Sequence, residues 1–202
     1  MSIYSLHPSI AYAQAGLRTI EEKTGRTIYE WVEYINKNGP KAENERKQWL
    51  KEKFDLGTNQ AGWLAEYSSG GSKDWFDENS YLKMAEEYVE KMYAGKKEAL
   101  RPLYDKLLTI SLGIGKEATA SPCATMVPIY RTHVIAQIKP STNSRVDMGF
   151  ALGDLKPTGR LIDTGGFAKK DRITHRIAIS SLSDIDNEVK LWLKKAYDRD
   201  SK

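Results

Sequence analysis

The residues best suited to chemistry in this sequence lie in one basic stretch, Lys139–Arg176. It holds 8 Lys or Arg against 4 Asp or Glu, whereas the rest of the chain holds 23 of each, so the net charge of +4 comes entirely from this stretch. Guanidinium groups bind carboxylates and phosphates through paired hydrogen bonds. The stretch is therefore the first candidate for a site that receives an anion.

Three charged side chains in this stretch are predicted to share one face of a β-sheet. In SRVDMGF, Arg145 and Asp147 alternate with apolar residues, and in THRIAIS, Arg176 alternates with isoleucines. If the two strands lie close together, these side chains converge and form a patch that binds a carboxylate or a phosphate. The alternative is a solvated sheet face on which an Arg–Asp pair helps to set the strand register.

The histidines and the cysteine give little sign of catalysis. His175 alternates with isoleucines, which indicates a core histidine bonded to a backbone carbonyl, although we keep it as a candidate ligand-binding residue. His7, His133 and the sole cysteine, Cys123, are scattered, and their spacing matches neither a metal site nor a nucleophile–base pair. We expect no catalytic residue, no metal and no cofactor.

Two basic turns containing glycine, 156–160 and 165–170, place backbone amides beside Lys and Arg, as phosphate contacts require. Arg160 in the first turn completes the candidate ligand-binding set. The alternative is that both turns are ordinary hairpin loops. The segment 113–116 is not a phosphate-binding loop, because Ile110 stands where the motif needs its first glycine.

The elements that must position these residues change in type near residue 116, where the hydrophobic period falls from 3.6 to 2. Strands are predicted at 125–131, 133–139, 144–150, 159–163 and 174–180. Pro128 places the first of these towards an edge of the sheet. Helices are predicted at 79–93, 96–112 and 184–198, the last of them opened by Ser183 with Asp186. The turns between strands are too short for helical crossovers, so we expect an antiparallel sheet.

The first third of the chain is predicted to be helical, with helices at 9–24, 27–37, 41–53 and 59–68. Thr27 and Glu30 form a capping box, Thr58 is the expected cap of the fourth helix, and Trp31, Trp49 and Trp63 fall at core positions. Residues 68–73 are typical of a linker. We therefore predict a helical module over 1–70 and an α+β domain over 75–202. The fold class is α+β, with a small helical bundle followed by an antiparallel sheet flanked by helices.

Composition limits the partners and the cellular compartment expected for this protein. A pI near 8.9 is mildly basic and permits an anionic partner without requiring one. A single cysteine excludes an intramolecular disulfide and suits a reducing compartment. No apolar run approaches the roughly 20 residues of a membrane span, and the N-terminus lacks the pattern of a signal peptide. We expect a cytoplasmic protein that does not enter a membrane.

Two sets of motifs resemble known sequence families. KTGRTIYEW and KQWLKEKFDLGTNQAGWLAEY resemble a small helical domain of unknown function. Five further motifs resemble an α+β domain of unknown function, which commonly follows the first domain in bacterial proteins. They are AGKKEALRPLYDKLL, IKPSTNSRVDMGFAL, PTGRL, THRIAIS and DNEVKLWLKKAY. The resemblance covers nearly the whole chain and implies a two-module family without implying an activity.

The chain departs from the family pattern at one place. The pattern has a basic pair after the proline in 121–131 and a second basic pair later. Here Cys123 and Ala124 replace the first pair, and only Arg131 remains of the second, beside Tyr130.

Two functional hypotheses follow. The first is a non-enzymatic binding or adaptor protein whose basic sheet face receives an anionic ligand, with nucleic acid as the obvious partner class; such binding would depend steeply on salt. The second is a small-molecule or enzymatic site between the C-terminal helix and the sheet, built from Arg145, Asp147, His175 and Arg176. A structural or partner-dependent role is a third, plainer alternative.

Overall fold

A computed structural model describes residues 2–70 and 78–200 of the chain. These residues divide into two compact units, one of residues 6–70 and 78–81 and the other of residues 2–5 and 82–200. The first unit is helical, and the second combines helices with an antiparallel sheet, so the α+β class expected from the sequence is confirmed. Residues 71–73 of the predicted linker lie outside the described residues.

Four helices make up the helical unit: α1 (Pro8–Thr24), α2 (Ile28–Asn38), α3 (Glu43–Phe54) and α4 (Thr58–Ser68). The capping box of α2 is confirmed, since Thr27 Oγ1 accepts a hydrogen bond from Glu30 N at 3.3 Å and Glu30 Oε2 accepts one from Thr27 N at 2.8 Å. The expected cap of α4 is wrong. The cap is Gly57, whose N–H donates to the Gln60 side chain, so the helix begins one residue earlier than predicted.

Tryptophans anchor the interior of this unit to different degrees. Trp31 is fully buried, whereas Trp49 and Trp63 are half-buried. Trp63 lies so close to α1 that a Cβ added at Gly16 would sit 2.1 Å from its ring. A glycine inside a helix costs backbone entropy, and here the close approach of the indole requires it.

Among the described residues, the second unit contains three helices and two 3-10 helices, Gly95–Leu100 and Leu182–Asp184, besides the sheet. Its helices are α5 (Glu78–Met92), α6 (Arg101–Leu112) and α7 (Asn187–Arg199), and the 3-10 helix, Gly95–Leu100, directly precedes α6. The predicted helix over 96–112 is therefore two elements. The expected start of α7 is also corrected, because its cap is Asp186, whose side chain accepts hydrogen bonds from the N–H groups of Glu188 and Val189.

All neighbouring strands in the sheet are antiparallel, as predicted. The six strands in the described residues follow the order β1-β2-β3-β4-β6-β5. They are β1 (Thr119–Ala120), β2 (Val127–Tyr130), β3 (Val134–Pro140), β4 (Val146–Phe150), β5 (Ile162–Asp163) and β6 (His175–Ile179). Pro128 lies on β2, one strand in from the edge. The edge strand β1 is only two residues long, so the missing N–H of the proline breaks few ladder bonds.

The two faces of the sheet differ sharply in polarity. One face carries the buried apolar residues of the central strands, including Ile138, Met148 and Ile177, and α6 and α7 pack against β3 and β4. On the other face, Lys139 stands opposite Asp147, and Gln137 stands opposite Gly149. The polar residues predicted from alternation therefore share the less buried face.

Candidate functional site

The structure brings together three of the five residues selected from the sequence. Asp147 on β4 lies between two arginines, with Arg145 Nε 2.9 Å and Arg176 Nη1 3.2 Å from its Oδ1. The antiparallel pairing of β4 with β6 produces this arrangement, because it sets Arg176 opposite Gly149, two residues along from Asp147. We call these three residues the Asp147 cluster.

The Asp147 cluster is half-exposed and carries one net positive charge. The side chain of Asp147 is 14% exposed, and those of Arg145 and Arg176 are 35% and 29% exposed. A carboxylate at the centre already occupies one donor of each guanidinium group. The cluster can therefore add to an anion site but has less free charge than two unpaired arginines.

His175 is not part of this cluster. It is buried on the apolar face of β6, where its Nε2 lies 2.8 Å from the carbonyl oxygen of Leu155 and its Nδ1 lies 2.8 Å from Thr174 Oγ1. A carbonyl can only accept, so Nε2 carries the proton and Nδ1 accepts from the threonine hydroxyl. This is the core histidine that its alternation with isoleucines indicates.

Arg160 is also separate from the cluster. Its Nε donates to Glu188 Oε2 at 2.9 Å, its Nη2 lies 2.7 Å from Asp186 Oδ1, and both Nη groups donate to the backbone oxygen of Asp184. The hydrogen bonds from the backbone N–H and the side chain of Arg160 lower the pKa of Glu188. Arg160 therefore ties the 156–160 turn to the start of α7, and its charge is already neutralised by two carboxylates.

A pocket that the sequence did not predict adjoins the Asp147 cluster. It has a volume of about 560 Å³ and lies between the end of α5, the 3-10 helix Gly95–Leu100, the β1–β2 connection and the end of β3. We call it the lysine pocket. Its lining includes Lys91, Lys96, Lys97, Lys139, Ala124 and Ser141.

The charge of the lysine pocket is of one sign. Its lining contains four lysines and no carboxylate. Lys97 Nζ donates to the Pro140 carbonyl at 2.7 Å, which is a neutral acceptor, and Lys91 pairs with the exposed Glu87 at 3.6 Å. Within residues 2–70 and 78–200, Lys96 and Lys139 form no ion pair. Like charges that line one pocket repel one another, and an anion in the pocket would relieve that repulsion.

The pocket and the cluster are joined at the turn between β3 and β4. Ser141, which lines the pocket, donates a hydrogen bond of 2.7 Å to Asp147 Oδ2. Lys139, another lining residue, stands directly opposite Asp147 on the neighbouring strand. The lysine pocket and the Asp147 cluster therefore adjoin across β3 and β4, and we call the two together the basic ledge.

The remaining candidates from the sequence have structural surroundings. Cys123 is half-buried, and burial raises the pKa of its thiol, which makes it a weak nucleophile. His133 pairs with Asp200 at 3.1 Å, and His7 caps α1. Within the described residues, no three His, Cys, Asp or Glu side chains are grouped as a metal site would require. None of the described helices is both long enough and apolar enough to cross a bilayer.

The fold defines a two-module protein, in which a small helical unit is followed by an antiparallel sheet backed by helices. Residues 89–200, more than half of the chain, match the family described as "Domain of unknown function (DUF5655)", and the chain belongs to that family. Residues 13–69 match the family described as "Domain of unknown function (DUF4287)". The two-module resemblance expected from the motifs is confirmed. No curated protein and no solved structure matches the chain.

Proposed function

We propose that this protein is a non-enzymatic, cytoplasmic binding protein whose basic ledge receives a phosphate-bearing anion, with single-stranded nucleic acid as the ligand class. The observation that supports it is the lysine pocket, in which four lysines meet without a carboxylate in the lining. Isolated surface charges are common, but four cations that line one concavity with no carboxylate in its wall are typical of a site that binds an anion.

The chemistry of the ledge favours contacts with a phosphate backbone. Lysine ammonium groups act as point charges that donate to phosphate oxygens in many orientations, and the guanidinium groups of Arg145 and Arg176 can add directional hydrogen bonds. Such contacts position a strand without reading its sequence. We therefore expect binding that depends little on base composition.

The extent of the ledge supports a polyanion over a single ion. The lysine pocket alone holds about 560 Å³, and the Asp147 cluster extends the positive surface across two further strands. A chain of phosphates can contact both parts, whereas a single phosphate fills only a fraction of the pocket. Each added contact releases a counterion and increases the salt dependence of binding.

The test is fluorescence anisotropy with labelled single-stranded DNA and RNA of about 20 nucleotides, over a salt range of about 20 to 200 mM. Four lysine contacts predict that log K falls with log salt at a slope of about −3, since each phosphate on a single strand contributes about 0.7. The double variant Lys96→Gln/Lys139→Gln should reduce the steepness by about 1.4, because it removes two contacts.

The matched control is Lys106→Gln/Lys190→Gln, which removes the same charge from exposed positions on α6 and α7, outside the pocket. It should retain the slope and most of the affinity. An equal loss in both double variants would show that only net charge matters and would contradict a defined site. An absence of binding to either nucleic acid at the lowest salt would also contradict the proposal.

A further inference from the structure

A second pocket in the same unit differs from the lysine pocket in both position and chemistry. It has a volume of about 680 Å³ and lies between the last turns of α7, the segment that follows β4 and the loop 164–174 that leads into β6. We call it the α7 pocket. It shares no lining residue with the lysine pocket, and none of Arg145, Asp147, His175 and Arg176 lines it.

Much of the wall of the α7 pocket is apolar. Ala151, Ala168 and Ala196 supply small side chains that leave the volume open, and Phe167 adds an aromatic ring. Phe167 is 58% exposed, so much of its ring is in contact with water. A ring left in water beside a concave apolar wall gains by contact with an apolar ligand surface.

The loop holds Phe167 in a defined place. Thr164 N donates to Thr174 O at 2.9 Å, which closes the two ends of the loop. Inside it, Asp171 N donates to Gly166 O at 2.9 Å and Lys170 N donates to Phe167 O at 3.1 Å. Gly166 is needed at the base, because an added Cβ would sit 2.4 Å from the Ile173 carbonyl oxygen. The aromatic wall is therefore built by backbone hydrogen bonds.

Two cations that line the pocket, Lys170 and Arg199, have no ion pair among the described residues, and Arg199 is the guanidinium group of the two. Arg199 forms no hydrogen bond or ion pair within the described part of the chain, and its Nη2 would lie 2.9 Å from a Cβ added at Gly153. Gly153 has a φ of +66° and no side chain, so the guanidinium group can lie over that backbone. Arg172, by contrast, donates to the Val134 carbonyl at 3.0 Å and pairs with the nearly buried carboxylate of Asp200.

The charges of the lining select an anion of low charge. The lining contains Lys170, Arg172 and Arg199 against Asp171. Because Asp200 neutralises Arg172, one net positive charge remains. This differs from the lysine pocket, which has four cations and a wall that is more polar than apolar. A single unpaired guanidinium beside an apolar wall suits one carboxylate on an apolar body.

We infer that the α7 pocket binds a small aromatic carboxylate, whose carboxylate pairs with Arg199 and whose ring packs between Phe167 and the alanines of the wall. The volume of about 680 Å³ is in the range of small-molecule sites. The inference is independent of the proposed polyanion site, since the two pockets have separate linings.

The test uses 2-naphthoate as the probe and the full chain labelled with ¹⁵N. Titration followed by amide chemical shifts should perturb Ala151, Gly153, Phe167 and Ala168 in a saturable manner, and the amides of Lys96 and Lys139 should move little. The neutral analogue 2-naphthamide should bind about 10-fold more weakly, because it loses the charged contact to Arg199.

Three variants separate the contributions. Arg199→Gln should weaken naphthoate about 10-fold and leave naphthamide nearly unchanged. Phe167→Ser should weaken the binding of both probes. Because Phe167 is exposed, we expect this variant to fold, and the same spectra would reveal a folding defect. Lys190→Gln, exposed on the same helix and outside the pocket, is the matched control and should change neither.

Several results would overturn the inference. An absence of shifts at the four pocket amides with millimolar naphthoate would do so, as would equal naphthoate affinity in the Arg199→Gln protein. Shifts confined to the amides of the lysine pocket would assign the probe to the other site and would also count against it. Naphthoate binding at the α7 pocket does not depend on whether the lysine variants bind nucleic acid, so either proposal can fail without the other.

Discussion

The hydroxyl of Ser141 donates a 2.7 Å hydrogen bond to the Oδ2 atom of Asp147, six residues along the chain. The same carboxylate contacts Arg145 on its own strand side and Arg176 on β6. One half-buried group thus fastens the turn between β3 and β4, and that turn forms a wall of the lysine pocket. The charged cluster that strand alternation predicts is therefore a support for the neighbouring concavity as well as a part of the basic ledge.

Removing the charge of Asp147 should loosen this support. In the Asp147→Asn protein the two arginines lose their shared counter-ion, and we expect the free energy of unfolding to fall by about 1–2 kcal/mol. Urea denaturation followed by circular dichroism measures the change. Asp154→Asn, which removes an exposed carboxylate in the same unit, is the control and should cost less than about 0.5 kcal/mol. Equal stability of the wild-type and Asp147→Asn proteins would show that the cluster does not hold the turn.

The elements of the sheet could be predicted because each carries a local pattern. Alternation marks β3, β4 and β6, and the short turns between strands exclude parallel pairing. The strand β1 could not be found in this way, because Thr119 and Ala120 are too few to show a period. Its place depends on pairing with Tyr130 and Ile129, which is tertiary information.

The lysine pocket illustrates why the rest of the site was missed. Three of its lysines, Lys91, Lys96 and Lys97, lie outside the basic stretch, in a region of balanced charge. They meet Lys139 only because the end of α5 and the 3-10 helix Gly95–Leu100 lie beside the end of β3. Local composition cannot reveal a concavity whose walls are more than 40 residues apart. The same limit applies to Arg160, since its carboxylate partners come from a helix about 25 residues further along the chain.

The Arg160–Glu188 pair predicts a pH dependence of stability. Hydrogen bonds from the backbone N–H of Arg160 and then from its side chain lower the pKa of Glu188 in the folded state. A carboxyl group whose pKa is lower in the folded state stabilises the protein at any pH above its pKa in the unfolded state, about 4.3. That contribution is lost as the pH falls through the pKa of the folded state. Wild type should therefore exceed Glu188→Gln by about 0.5–1 kcal/mol near pH 7, a modest amount because Arg160 is 37% exposed.

The measurement is urea unfolding of both proteins between about pH 7 and pH 3. The gap in unfolding free energy should be constant near neutrality, shrink below about pH 4.3 and vanish where the carboxyl is protonated in both states. Glu98→Gln, an exposed carboxylate outside every ion pair of the described residues, should follow the wild-type curve. A gap that persists unchanged at low pH would mean that Glu188 acts through packing and not through charge.

The helical unit contains a buried arginine that donates, within the described part of the chain, to neutral oxygens alone. Arg46 is 9% exposed, and it donates to the Pro40 carbonyl at 2.7 Å and to Ser68 Oγ at 2.9 Å, which joins α3 to the end of α4. Replacing it with methionine keeps much of the volume and removes the donors, so we expect a loss of about 2–3 kcal/mol. Amide hydrogen exchange should show the loss at the end of α4, where Ser68 and Ser69 lie. Lys47→Met, one residue along the same helix, should leave that exchange unchanged.

A gain of affinity is the sharpest expectation for the lysine pocket. Ala124 is exposed and lines the pocket, at a position where the family resemblance implies a basic residue. Ala124→Lys should add a fifth ammonium group, tighten nucleic-acid binding about 3-fold to 5-fold at low salt, and make the salt slope steeper by about 0.7. Anisotropy titrations of the kind used for the wild-type protein measure both quantities. Leu191→Lys adds the same charge at an exposed position on α7 and should leave the slope nearly unchanged, so an equal gain in the two variants would contradict a defined pocket.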